Sequence, residues 1–69
     1  MDLEEIYRKL ESNHGKVCEI TLKNRAILYD RIFFSVKTDK IGNLFLEISE
    51  GKSRTQVNFN EIDDILFKL

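Results

Sequence analysis

Few residues in this 69-residue chain combine the types and spacing that chemistry needs. It holds one histidine, His14, and one cysteine, Cys18. A cysteine nucleophile requires a base to hold its proton and donors for the developing oxyanion. His14 stands beside Gly15 at the end of a predicted helix, the place of a capping or surface histidine. Cys18 alternates with Ile20 and Leu22 on an apolar face, where cysteine acts as a small hydrophobe. A zinc cage takes more soft ligands than these two. Glu61, Asp63 and Asp64 make an acidic corner without the spacing of a calcium loop. Gly15, Gly42 and Gly51 stand singly in turns, so no phosphate-cradling loop is present. The expectation is a protein that is not an enzyme and carries neither metal nor cofactor.

What remains is recognition. Arg25–Lys37 is the most aromatic and β-branched run of the chain. Within it Tyr29, Arg31 and Phe33 share one parity, and Ile27 and Lys37 extend the row. Aromatics interleaved with bases on an exposed strand stack bases and meet phosphates. An apolar patch there equally marks a protein partner. The competing expectation is that the N-terminal helix covers this face through Leu3, Ile6, Tyr7 and Leu10. Formal net charge is −1, which favours neither a strong nucleic-acid binder nor a membrane-surface protein. Residues 15–40 nevertheless carry a net +3, between segments of −2 on either side.

Positioning these residues requires a small β-rich domain. The chain is 42% hydrophobic and 33% charged, with no proline or tryptophan, and it supports one domain over 1–69. Domains of this length are marginal unless stapled, metal-bound or oligomeric, and a lone Cys18 closes no intrachain bridge. Self-association is therefore expected. Residues 2–13 read as a helix, with Asp2 and Glu5 spaced as a capping box. Leu3, Ile6, Tyr7 and Leu10 recur as one stripe, and Gly15 supplies the stop.

From Lys16 the period changes to two, giving strands at about 16–23, 26–37, 44–50, 53–59 and 64–68. Asn24 suits positive φ in the first turn. Asp30 interrupts an otherwise apolar parity, so a bulge that exchanges faces is expected near Asp30-Arg31. The fourth strand, with Arg54, Gln56 and Asn58 on one side, is the most polar and reads as an edge available to an oligomer. A turn or corner is expected at residues 60–64. No apolar run is long enough to span a bilayer, and the acidic start lacks the features of a signal peptide. The expected location is the cytoplasm.

The predicted class is α+β, mostly β, with the N-terminal helix followed by five antiparallel strands. Two architectures satisfy it: a strongly bent open sheet, or a small SH3-like barrel. The order, and the stretches Gly15–Asn24 and Gln56–Ile65, resemble the Sm-like family, whose opening and closing strands follow similar patterns. That resemblance implies a bent second strand and a single-stranded RNA or DNA partner. The family's RNA pocket uses an aspartate, an aromatic or apolar residue and an asparagine in the loop after the second strand, plus an arginine-glycine pair in the corner before the last. Asp39 and Asn43 are loose counterparts of the first set, and the acidic corner at residues 60–64 has no counterpart of the second. The leading expectation is a non-catalytic module that binds a protein partner or itself. A nucleic-acid-binding module is the alternative.

Overall fold

The computed structural model describes residues 3–68; Asp2, the Leu3 side chain and Leu69 lie outside what is described, and with them the proposed cap and one stripe position. Helix α1 spans Leu3–Glu11 and is followed by β1 (Val17–Leu22), β2 (Ile27–Thr38), β3 (Leu44–Glu50), β4 (Ser53–Asn58) and β5 (Ile62–Phe67). The strands form one antiparallel sheet in the order β4-β3-β2-β1-β5. The sheet is not closed: β4 and β5 are its two edges. Of the two architectures compatible with the sequence, the chain adopts the open one.

β2 makes the sheet bend. Its first half, through Ile27, Leu28, Arg31 and Ile32, pairs with β1, while Phe33 and Ser35 to Thr38 pair with β3. Between the Ile20–Leu28 and Cys18–Arg31 pairs, Tyr29 and Asp30 both oppose Glu19. Asp30 sits there with φ at +52°, a left-handed conformation that aspartate tolerates better than most residues. The expected bulge is present, one residue ahead of the expected centre. A second irregularity lies between the Phe33–Ile48 and Ser35–Glu47 pairs and leaves Phe34 unopposed. Each extra residue turns the following side chains over. Leu28, Phe33 and Val36 therefore all reach the core from one strand, although no single parity contains all three.

The core lies in the concavity of this bent sheet. Ile6 and Leu10 of α1 pack with Cys18, Ile20, Phe33, Leu46, Ile48, Val57, Phe59, Ile62 and Ile65. The helix stripe thus packs as its spacing requires, with Tyr7 at the margin against Phe59 at 6.1 Å between rings. Phe33 meets Phe67 and His14 at 6.0 and 4.9 Å. Its backbone accepts from Gly15 N and donates to Lys16 O, which ties the end of the helix to the bend in β2.

Local chemistry moved several boundaries. Asn24 does not take positive φ; its Oδ1 accepts from Ala26 N at 3.0 Å, and Arg25 adopts φ +73° instead. The corner is a single 3-10 turn at Phe59–Glu61, capped by Asn58 Oδ1 accepting from Asn60 N at 2.9 Å. β5 consequently begins at Ile62, two residues before the expected start, with Asp63 unopposed between the Leu22–Ile62 and Thr21–Asp64 pairs. Ile62 supplies buried volume that a strand beginning at 64 would have lost.

Candidate functional site

The residues of the expected recognition row do not share a face. Tyr29 is 59% exposed, whereas Phe33 is fully buried in the core. Arg31, opposite Cys18, turns along the bend and donates from Nη1 to Ser49 O at 3.2 Å. Lys37 is exposed on the other half of β2, paired with Phe45 of β3. The Asp30 bulge is the cause. It lies between Tyr29 and the residues after it, so the row that starts outward ends inward. Covering by the helix cluster is correct for Phe33; exposure is correct for Tyr29.

The same bulge builds a different surface. Beyond it Ile32 takes the outward position, paired with Val17, while Ile27 is paired with Thr21. On the far side of β1, Leu66 is paired with Glu19. Val17, Ile27, Tyr29, Ile32 and Leu66 are all exposed, and all lie on the outer side of β5-β1-β2. Only Ile27 and Tyr29 belong to the expected row. The signal for Ile32 was available: a face-exchanging bulge at Asp30 moves the outward parity from odd to even. Leu66 and Val17 required knowledge of which strands flank which.

Charged groups frame and cross this face. Lys68 Nζ reaches across β1 to the Asp30 carboxylate, and its backbone N donates to Val17 O at 3.0 Å. The hydrogen bond and charge of Asp30, with a smaller contribution from Glu19, hold the Lys68 ammonium above its ordinary pKa. A shallow cleft lined by Gly15, Lys16, Val17 and Lys68 continues the face beyond the start of β1. The arrangement offers apolar anchors, one aromatic hydroxyl and a few charges in fixed places. It offers no nucleophile, base and oxyanion donor in one place.

Cys18 fits a structural role. Its side chain is buried in the core, and burial pushes the thiol pKa up to about 11, with Arg31 pulling weakly the other way. Because the folded form holds its proton more tightly than an ordinary thiol with a pKa of 9.0, this contribution to stability is complete below about pH 9. It is lost as pH rises through about 11. Iodoacetamide at pH 8 is therefore expected to leave the folded protein unmodified and to label the denatured chain readily. Comparable labelling in both states would show an accessible thiolate and contradict this placement.

The outer side of the other half of the sheet mixes polar residues with the half-buried rings of Phe34 and Phe45. Arg54 Nη1 is 2.7 Å from Glu47 Oε1, and its guanidinium lies 4.2 Å from the centre of the Phe34 ring. Gln56 is exposed beside them, opposite Glu47. Asn58 is the corner cap described above, so its side chain already has a task. In the β2–β3 loop, both Asp39 carboxylate oxygens are used internally, by Ile41 N, Asn43 N and Asn43 Nδ2. Those bonds, from Asn43 foremost, hold the Asp39 pKa below its ordinary value. Ile41 is displayed at the tip of that loop, 84% exposed.

Among the described residues no helix is long and apolar enough to cross a membrane, and no three His, Cys, Asp or Glu side chains converge as metal ligands. No family model matches this chain, and no curated protein or solved structure matches it.

Proposed function

We propose that this chain is a non-catalytic binding module that recognises a protein partner through the outer face of β5-β1-β2 and also self-associates. The observation that carries the reading is the five exposed apolar side chains, Val17, Ile27, Tyr29, Ile32 and Leu66, gathered on one side of three adjacent strands. Exposed apolar side chains clustered on one face mark protein-binding sites, and Glu19 and the Lys68–Asp30 pair set fixed charges among them. Tyr29, the most exposed of the β2 anchors, brings large area and a hydroxyl at a small entropic cost. The strand order resembling Sm-like domains supports a β-rich binding scaffold rather than a particular ligand.

The test is a pull-down with tagged protein, read by mass spectrometry and followed by titration of the protein recovered. Tyr29→Ala combined with Ile32→Ser is expected to weaken capture by on the order of tenfold or more, as for truncated anchors. The thermal midpoint should move little, because both side chains are exposed. Undiminished capture would remove the face as the site. A nucleic-acid module is the alternative, supported by Lys37 and Lys40 beside the β2–β3 loop and by the positive segment 15–40. It predicts single-stranded oligonucleotide binding that falls steeply with salt. Absence of binding to a mixed panel at low salt would dismiss it.

A further inference from the structure

The two edges of the sheet are unlike. At β5 the backbone of Ile65 is already occupied: its N–H donates to Asp64 Oδ1 at 2.8 Å and its carbonyl accepts from Lys9 Nζ at 3.1 Å. Lys9 is also 3.8 Å from the Asp64 carboxylate, so the helix holds this closure in place. Asp63 adds an irregularity in the ladder and a further exposed charge. Bulges, inserted charges and covering side chains are the devices by which sheets prevent edge pairing. β5 has all three.

β4 lacks the bulge and the covering side chain. It pairs with β3 in unbroken register from Glu50–Ser53 to Phe45–Asn58. No strand of the described residues lies on its other side. Every second residue of such a strand turns its N–H and C=O outward, where they serve as a template for another strand. The strand contains one charge, Arg54, and that side chain is held on its own face by Phe34 and Glu47. The edge is open and nearly neutral.

We propose that two copies of this chain join through β4, antiparallel about a two-fold axis at Gln56, into one continuous sheet. The inference rests on the self-associating part of the function proposed above and names its surface. Faces match across an antiparallel pair only when opposed residues share a parity. With the axis at Gln56, outward Gln56 meets its own copy and Arg54 meets Asn58. On the inner side Thr55 meets Val57, which continues the apolar layer. No like charges oppose one another in this register. Pairing of β4 with a second copy's β5 is disfavoured, because Ile65 there has no backbone group to offer.

Charge exchange at the axis tests the proposal. Sedimentation equilibrium of the full chain is expected to show a monomer–dimer equilibrium. Gln56→Lys places like charges directly opposite, as does Gln56→Glu, and each is expected to weaken the dimer by on the order of tenfold. An equimolar mixture of the two variants should restore it, since Lys then faces Glu; circular dichroism checks that both are folded. On the wild-type protein, hydrogen exchange should show β4 amides gaining protection as concentration rises while β5 amides do not. Tyr29→Ala should leave the dimer intact. A wild-type chain that remains monomeric to about 1 mM, a weak-affinity bound, would overturn the proposal. So would failure of the folded mixture to recover dimer, or loss of dimer in Tyr29→Ala. The pull-down reports on the partner face independently, so either reading can fail alone.

Discussion

Replacing Phe33 with alanine is expected to leave the protein largely unfolded at room temperature. Phe33 is fully buried, touches the rings of Phe67 and His14, and pairs with Ile48 where β2 crosses from one half of the sheet to the other. Removing a buried phenylalanine costs about 3–5 kcal/mol, from lost transfer energy and the cavity left behind. A chain of this length has a total stability of roughly 3–10 kcal/mol, at the usual stability per residue. One side chain is then comparable to the whole margin. Thermal or urea unfolding followed by circular dichroism measures it, with Tyr29→Ala as the companion from the same strand. The exposed Tyr29 change should fall within about 0.5 kcal/mol of wild type. If the two variants lose similar stability, the assignment of Phe33 to the core and Tyr29 to the surface is wrong.

Inserting an alanine between Asp30 and Arg31 is expected to be as damaging, for a reason unrelated to either side chain. Asp30 is already the extra residue opposite Glu19, and it sets which of the following side chains face inward. With one residue more, pairing continued from the bulge puts Arg31 opposite Val17, so Phe33 points to solvent while Ile32 points inward. The alternative is to keep Phe33 inside by crowding three residues opposite Glu19. Neither arrangement satisfies both halves of the sheet. The insertion variant should show no cooperative unfolding transition and collapsed amide dispersion in its nitrogen–proton correlation spectrum. By contrast, deleting Asp30 leaves Tyr29–Glu19, Arg31–Cys18 and Ile32–Val17 opposed in a regular ladder with Phe33 still inward, so that chain should fold. Asp30→Gly, which keeps the residue count and suits positive φ, should fold too. Both forfeit the exposed ion pair with Lys68, and such pairs contribute little. An insertion variant melting within about 5 °C of wild type, a shift of order 1 kcal/mol, would show that the bulge does not set the register.

The partner face occupies the same bulge from the other side. Tyr29 and Ile32 are neighbours on the surface because Asp30 lies between them and absorbs one step of the alternation. A regular strand would have placed Tyr29 beside Arg31 and Phe33 on one side, as the bare parity implies. The residue that sends Phe33 to the core is therefore also the one that completes the exposed apolar patch. Stability and recognition meet at one backbone irregularity.

Local patterns alone determined a good deal of this protein. The spacing of Ile6, Tyr7 and Leu10 required an amphipathic helix, since only a 3.6-residue period brings them together. Alternation placed Cys18, Ile20, Leu46, Ile48 and Val57 inside, and the polar run Arg54-Gln56-Asn58 marked β4 as an edge. Asp30 announced the bulge, because a charge on an otherwise apolar parity has no stable place in a regular strand. These properties depend on neighbours within a few residues, and a sequence displays them directly. What only the tertiary structure decided depends on partners far apart in the chain. Val17 and Leu66 joined the exposed face because β1 lies between β2 and β5. Lys9 closed the β5 edge by reaching Ile65, 56 residues away, and no periodicity encodes that contact. That β4 and β5 stay unpaired with each other, which leaves the sheet open, is likewise an outcome of long-range pairing that composition and alternation leave undetermined.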